Sequence, residues 1–96
     1  MGNIEFVWGP SKAKTNIAKH AVTFEEAQTV FYDEAARLIN DPDHSADENR
    51  FIMLGYSANS RCLIVIHCYR ESDSAIRLIS ARIANKKEEA SYWSFR

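Results

Sequence analysis

Three apolar stretches joined by short polar links, at residues 51–56, 61–70 and 76–83, constrain this chain more than any other feature. Each stretch is rich in β-branched and aromatic residues, the composition of strands. Ala58-Asn59-Ser60 and the polar run 71–75 leave no room for a crossover helix, so neighbouring strands must run antiparallel, as a meander.

The residues around this meander set the remaining elements. Phe6-Val7-Trp8 reads as a short strand stopped by Gly9-Pro10, after which Ser11 is placed to cap a helix over 12–20 with Ala13, Ile17 and Ala21 on its inner face. Thr23 and Glu26 have capping-box spacing and open a second helix carrying Phe24, Ala27, Val30 and Phe31 at helical intervals. Arg37-Leu38-Ile39 is strand-like and ends at Asn40-Asp41-Pro42. Ser45 with Glu48 repeats the capping-box spacing, and Asn85 with Glu88 repeats it again ahead of a last helix toward Phe95. The expectation is one α+β domain over 1–96. Its antiparallel sheet combines the C-terminal meander with N-terminal strands, two N-terminal helices lie on one face, and a C-terminal helix follows.

With 96 residues, 46% of them hydrophobic, the chain supports one modest core. The net charge of −1 argues against broad, non-specific nucleic-acid binding. A local basic patch stays open, because Arg61, Arg70, Arg77, Arg82, Lys86 and Lys87 gather in the second half while 33–48 is acid-rich. No apolar run is long enough for a membrane span and no leader pattern is visible. Cys62 and Cys68, in one strand, would sit roughly 20 Å apart, too far to bond. Reduced thiols and a cytoplasmic location are expected.

Strand 61–70 is where chemistry is sought. Its even positions, Cys62, Ile64, Ile66 and Cys68, are the drier set and are expected to meet the helices. Its odd positions include His67 and Tyr69 and are expected to stay open or face a partner. If the hairpin pairs Tyr69 with Arg77, then His67, Tyr69 and Arg77 share that face; a slip of one residue removes Arg77 from it. An imidazole exchanges a proton near neutral pH and a guanidinium grips phosphate, which suits RNA cleavage by its own 2′-hydroxyl without a metal. The ordinary alternative for His67 is a packed or surface histidine, and for Arg77 and Arg82 solvated strand-end charges. His44 among Asp41, Asp43, Asp47 and Glu48 matches no standard metal-ligand spacing, so no metal or cofactor is expected. His20 is explained by the dipole at a helix C-terminus. Lys12, Lys14 and Lys19 read as the solvated side of the first helix, with phosphate contact as the other role. Buried cysteines would be inert. Tyr92, Trp93 and Phe95 cannot all pack on one surface, so a partner or an oligomer is expected to cover some of them, unless the tail frays.

Taken together, the motifs resemble the BrnT family. Phe6-Val7-Trp8-Gly9-Pro10-Ser11-Lys12 is similar to that family's Phe-x-Trp-Asp-x-x-Lys opening. Asn16 with Lys19-His20-Ala21-Val22-Thr23-Phe24-Glu25-Glu26-Ala27 resembles its Asn-x-x-Lys-His-Gly-Val-x-Phe-x-Glu-Ala block. Asp41 to Ser45, Glu48, Arg50-Phe51, Gly55, 63–67, Arg70 and 76–82 follow in order. Ala21 and Gly9 depart from the pattern. The resemblance implies a RelE-like fold and an endoribonuclease toxin of a type II toxin–antitoxin system. It also implies a cognate ribbon-helix-helix antitoxin of the BrnA type, which alone would contact operator DNA. On this basis His67, Arg70, Arg77 and Arg82 are expected in the catalytic set, with Glu71 as a lesser alternative base. Lys12, Lys19 and Lys86 are expected as RNA contacts. A homodimer and a non-catalytic role, binding the antitoxin and tuning promoter binding, stand as alternatives.

Overall fold

The computed structural model describes residues 4–41, 50–70 and 75–94. Strand β1 (Glu5–Val7) leads into helix α1 (Pro10–His20) and a short helix α2 (Phe24–Thr29), extended by a 3-10 turn at Val30–Tyr32. Strands β2 (Arg37–Asn40), β3 (Arg50–Tyr56), β4 (Cys62–Arg70) and β5 (Ala75–Ile83) follow, then helix α3 (Lys86–Ser94). The five strands form one sheet in the order β1-β5-β4-β3-β2. The meander is present as expected. The sheet, however, is mixed and not purely antiparallel, because β1 lies parallel to β5. Two helices and the meander separate these strands, and so long a connection can return the chain in either direction.

Helix α2 and its 3-10 extension bury Phe24, Ala27 and Val30 at the predicted spacing, against Leu63 and Val65 of β4 and Ile76, Leu78 and Ala81 of β5. Each fully buried Leu, Val or Phe here contributes about 1.5–3 kcal/mol. The face expectation for β4 is therefore reversed: the odd residues Leu63, Val65 and His67 meet the helices. The cause lies in the neighbouring strands. Met53 and Ala81 flank Val65, and Phe51 and Leu78 flank His67, so the odd face is apolar across three strands. The even face is covered at one end, where Tyr92 of α3 packs on Leu54, Cys62 and Ile64. Burial pushes the Cys62 thiol up to about 11, which makes it inert.

Local details depart from expectation in two helices. Gly9, not Ser11, is the N-cap of α1, and Pro10 takes the first helical position, where its fixed φ fits and its missing N–H costs nothing. On the inner face of α1, Ala13 packs against the core as expected and Asn16 is buried, whereas Ile17 is 48% exposed and Ala21 is exposed. At α2, Thr23 Oγ1 accepts from the Glu26 backbone N–H at 3.0 Å, but the Glu26 carboxylate turns away to Ser57 and Arg61. Only half of that capping box forms. The Asn85–Glu88 box is complete, with bonds of 2.9 and 2.8 Å. Ser45, Glu48 and His44 lie outside the described residues.

Helix α3 is tied to the sheet through Asp33, whose Oδ2 accepts from the Tyr56 N–H at 2.9 Å and the Tyr92 hydroxyl at 2.8 Å. Gly55 permits this approach, since a Cβ there would stand 3.0 Å from that oxygen and 2.9 Å from Ala36 Cβ.

Candidate active site

Register decides where the basic residues stand. Cys68 pairs with Arg77 and Tyr69 with Ile76, so Arg77 lies on the face opposite His67. The expected His67–Tyr69–Arg77 grouping is not formed. It required Tyr69 opposite Arg77, and the hairpin closes one residue away from that.

His67 is wholly buried, its ring flanked by Phe31, Phe51 and Tyr69. Its Nδ1–H donates to the Val65 carbonyl at 3.2 Å, which leaves Nε2 to face the Tyr69 hydroxyl at 3.4 Å. Burial pushes its pKa down to about 4, so the ring is neutral at pH 7 and shielded from any bound molecule. Arg82 is held by both carboxylate oxygens of Glu88, at 2.9 and 2.8 Å. That bidentate pairing occupies the fork a phosphate would need. Lys86 is exposed at the start of α3. Arg70 ends β4, its side chain outside the described residues, and Glu71 also lies outside them.

The remaining predicted residues do come together. A break in the β4–β5 register sets Ile66 against Ser80 and His67 against Leu78, leaving Ile79 unmatched. Such a bulge re-aims side chains at a sheet margin. Beyond the end of β1 the β5 margin is met by Asn16 of α1. Its amide accepts from the Ala81 N–H at 3.0 Å and donates to the Ala81 carbonyl at 2.8 Å, in place of a neighbouring strand. It also donates to the Val22 carbonyl at 2.9 Å, fixing the turn after α1. Ala21 makes that turn in the left-handed region, at φ 58°. A glycine at this position would relieve such strain.

Between α1 and the bulge lies a cleft of about 310 Å³, whose walls include Lys12, Lys19 and His20 of α1, Arg50 at the start of β3, and Ile79 and Ser80. A second hollow of about 150 Å³ adjoins it, lined by Lys12, Arg50, Cys68, Arg77 and Ile79. Lys12, Arg50 and Ile79 belong to both. Among the described residues lining either space there is no carboxylate. Four cationic side chains and an imidazole therefore face a shallow polar surface in a chain whose net charge is −1. Among the described residues no cluster of His, Cys, Asp and Glu suits a metal ion.

Sequence reasoning placed Lys12 and Lys19 among the RNA contacts and Arg77 in the catalytic set, and it left out Arg50 and His20. A signal existed for His20: residues 12, 16, 19 and 20 fall on one helical face. Arg50 carried no such signal, because only the β3 register brings it opposite Cys68.

Residues 8–88 match the family described as ribonuclease toxin, BrnT, of type II toxin–antitoxin systems. The chain belongs to the BrnT family. The crystal structure of the Brucella abortus ribonuclease toxin BrnT is similar in fold, with a TM-score of 0.68 over 88% of this chain and 100% of that one, at 22% sequence identity. Comparison with curated proteins gives no match. The matched span takes in α1, the bulge of β5 and both hollows of this BrnT-family chain. Among the described residues, no helix is long and apolar enough to cross a membrane.

Proposed function

We propose that this chain is an endoribonuclease whose substrate lies in the basic cleft, with Lys12, Lys19, Arg50 and Arg77 holding the RNA backbone. The observation that carries this reading is the gathering of Lys12, Lys19, Arg50 and Arg77, with no carboxylate among the described lining residues, around the α1–β5 junction of a chain whose net charge is −1. Field strength there is set locally, so a net charge of −1 is no obstacle. Guanidinium and ammonium groups on two sides of a phosphate stabilise the charge that gathers on it as the 2′-oxygen attacks, and this requires no metal. Family membership supports RNA as substrate and an antitoxin as partner. In this reading the antitoxin is a ribbon-helix-helix protein of the BrnA type. It silences the enzyme by covering the cleft and alone contacts operator DNA.

His67 acts in this reading as a core residue supporting β4, and Arg82 as the anchor of α3. A non-catalytic role, binding the antitoxin and tuning promoter binding, is favoured by one observation: the His67–Arg77 pairing that a nuclease was expected to use is not formed. Expression of the wild type beside Lys12→Ala, Arg77→Ala and Lys86→Ala, scored for growth and RNA integrity, separates the readings. Wild type and Lys86→Ala should arrest growth and degrade RNA. Lys12→Ala and Arg77→Ala should each lose about 10²–10³-fold in cleavage by purified protein. Intact RNA with the wild type, or full cleavage by both cleft variants, sinks the nuclease assignment to this cleft.

A further inference from the structure

We propose that His20 is the proton-accepting group of the cleft. The inference rests on the nuclease reading above and names the residue that performs its first step. Cleavage by the neighbouring 2′-hydroxyl needs a group with a lone pair to take the proton, which ammonium and guanidinium groups do not offer and an imidazole does. Among the described residues that border it, His20 is the one imidazole, and no carboxylate is present. Three other described groups are engaged away from it: His67 is enclosed in the core, Glu26 is held by Arg61, and Glu88 by Arg82.

The backbone at His20 is also unusually well held for the end of a helix. The Ala21 N–H bonds back to the Ile17 carbonyl at 2.9 Å and the Arg61 guanidinium donates to the Ala21 carbonyl at 3.1 Å. Asn16, one turn before His20, joins α1 to both Val22 and Ala81. Residue 20 is thereby fixed relative to the bulge that forms the opposite wall. His20 itself is half-buried, open to the cleft.

The step balances as follows. The imidazole takes the 2′-hydroxyl proton as the 2′-oxygen bonds to phosphorus. The bond from phosphorus to the 5′-oxygen breaks, and that oxygen takes a proton from the Lys12 ammonium. A 2′,3′-cyclic phosphate and a 5′-hydroxyl result, and the imidazolium and the amine exchange their proton through water. Among the described residues, the charged groups that share the cleft wall with His20 are Lys12 and Lys19 on its own helix and Arg50 from β3, and Arg61 binds the carbonyl of the residue that follows it.

The test uses the whole chain and a single-stranded RNA oligonucleotide, with kcat measured for wild type, His20→Ala and His20→Gln. Both variants should lose about 10²–10⁴-fold in kcat. Binding of an uncleavable analogue lacking the attacking hydroxyl should change less than about threefold. Added free imidazole should restore activity to His20→Ala, an effect that a purely structural role does not give. Wild-type cleavage that either variant retains, or a loss that free imidazole does not rescue, overturns His20 while leaving the nuclease reading intact. A wild type that cleaves no RNA overturns both.

Discussion

At the scale of single residues, burial and partners separate look-alike side chains. His67 and His20 are both histidines on regular elements, yet one is sealed beneath Phe31 and the other borders the cleft. The same holds for Arg82, locked by Glu88, and Arg77, which lines the second hollow. The Arg61 guanidinium beside Glu26 holds that carboxyl below the usual range, with Ser57 helping and burial opposing. The low His67 pKa has a measurable consequence. Its folded value of about 4 lies below the ordinary imidazole value near 6.5, so between these limits the unfolded chain binds a proton that the folded chain refuses. Stability from this residue is complete above about pH 6.5 and is lost as pH falls toward 4, by roughly 3 kcal/mol in total. Urea unfolding at pH 7.5 and pH 4.5 should show this loss in the wild type and a clearly smaller one in His67→Leu. Equal losses in the two proteins would mean that His67 is not held neutral.

At the scale of elements, α1 is the piece on which the cleft depends, and Asn16 is its attachment. Asn16→Ala leaves the Ala81 N–H and carbonyl without their partner, at about 1–3 kcal/mol for each group that stays dry. A loss of about 3 kcal/mol in unfolding free energy is expected, with RNA cleavage falling further than a stability loss alone explains. Thermal unfolding and an assay well below the melting temperature check this; unchanged values for both would show that the clamp contributes nothing. Most elements were legible in the sequence. The Asn85–Glu88 box, the apolar spacing of Phe24, Ala27 and Val30, and the meander all follow from local rules. What was not legible depended on two strands at once. The hairpin register, the bulge at Ile79 and the parallel placement of β1 are set by packing across the sheet, and each moves a candidate residue to another face or margin. Asn16 gave no apolar signal, so a helix wheel assigned Ile17 to the interior in its place.

Across the whole molecule, charge is distributed so that a nearly neutral protein presents one cationic strip. That sets the salt response. If four cations contact RNA phosphates, the logarithm of the binding constant should fall with the logarithm of salt concentration at a slope of about −3 for single-stranded RNA. Titrations with an uncleavable oligonucleotide at several salt concentrations test this. A slope near zero would remove the cleft as the binding site, and one far steeper would require basic surface outside it.

The parallel pairing of β1 with β5, together with the reach of Asn16 to Ala81, places the two walls of the cleft at opposite ends of the chain. During synthesis, Lys12 and Lys19 emerge early and find no facing wall until Arg77 and the Ile79 bulge have left the ribosome. A chain cut short before β5 therefore lacks one wall of the cleft altogether. The order in which the residues are made leaves the cleft unformed until almost the last of the sheet is in place.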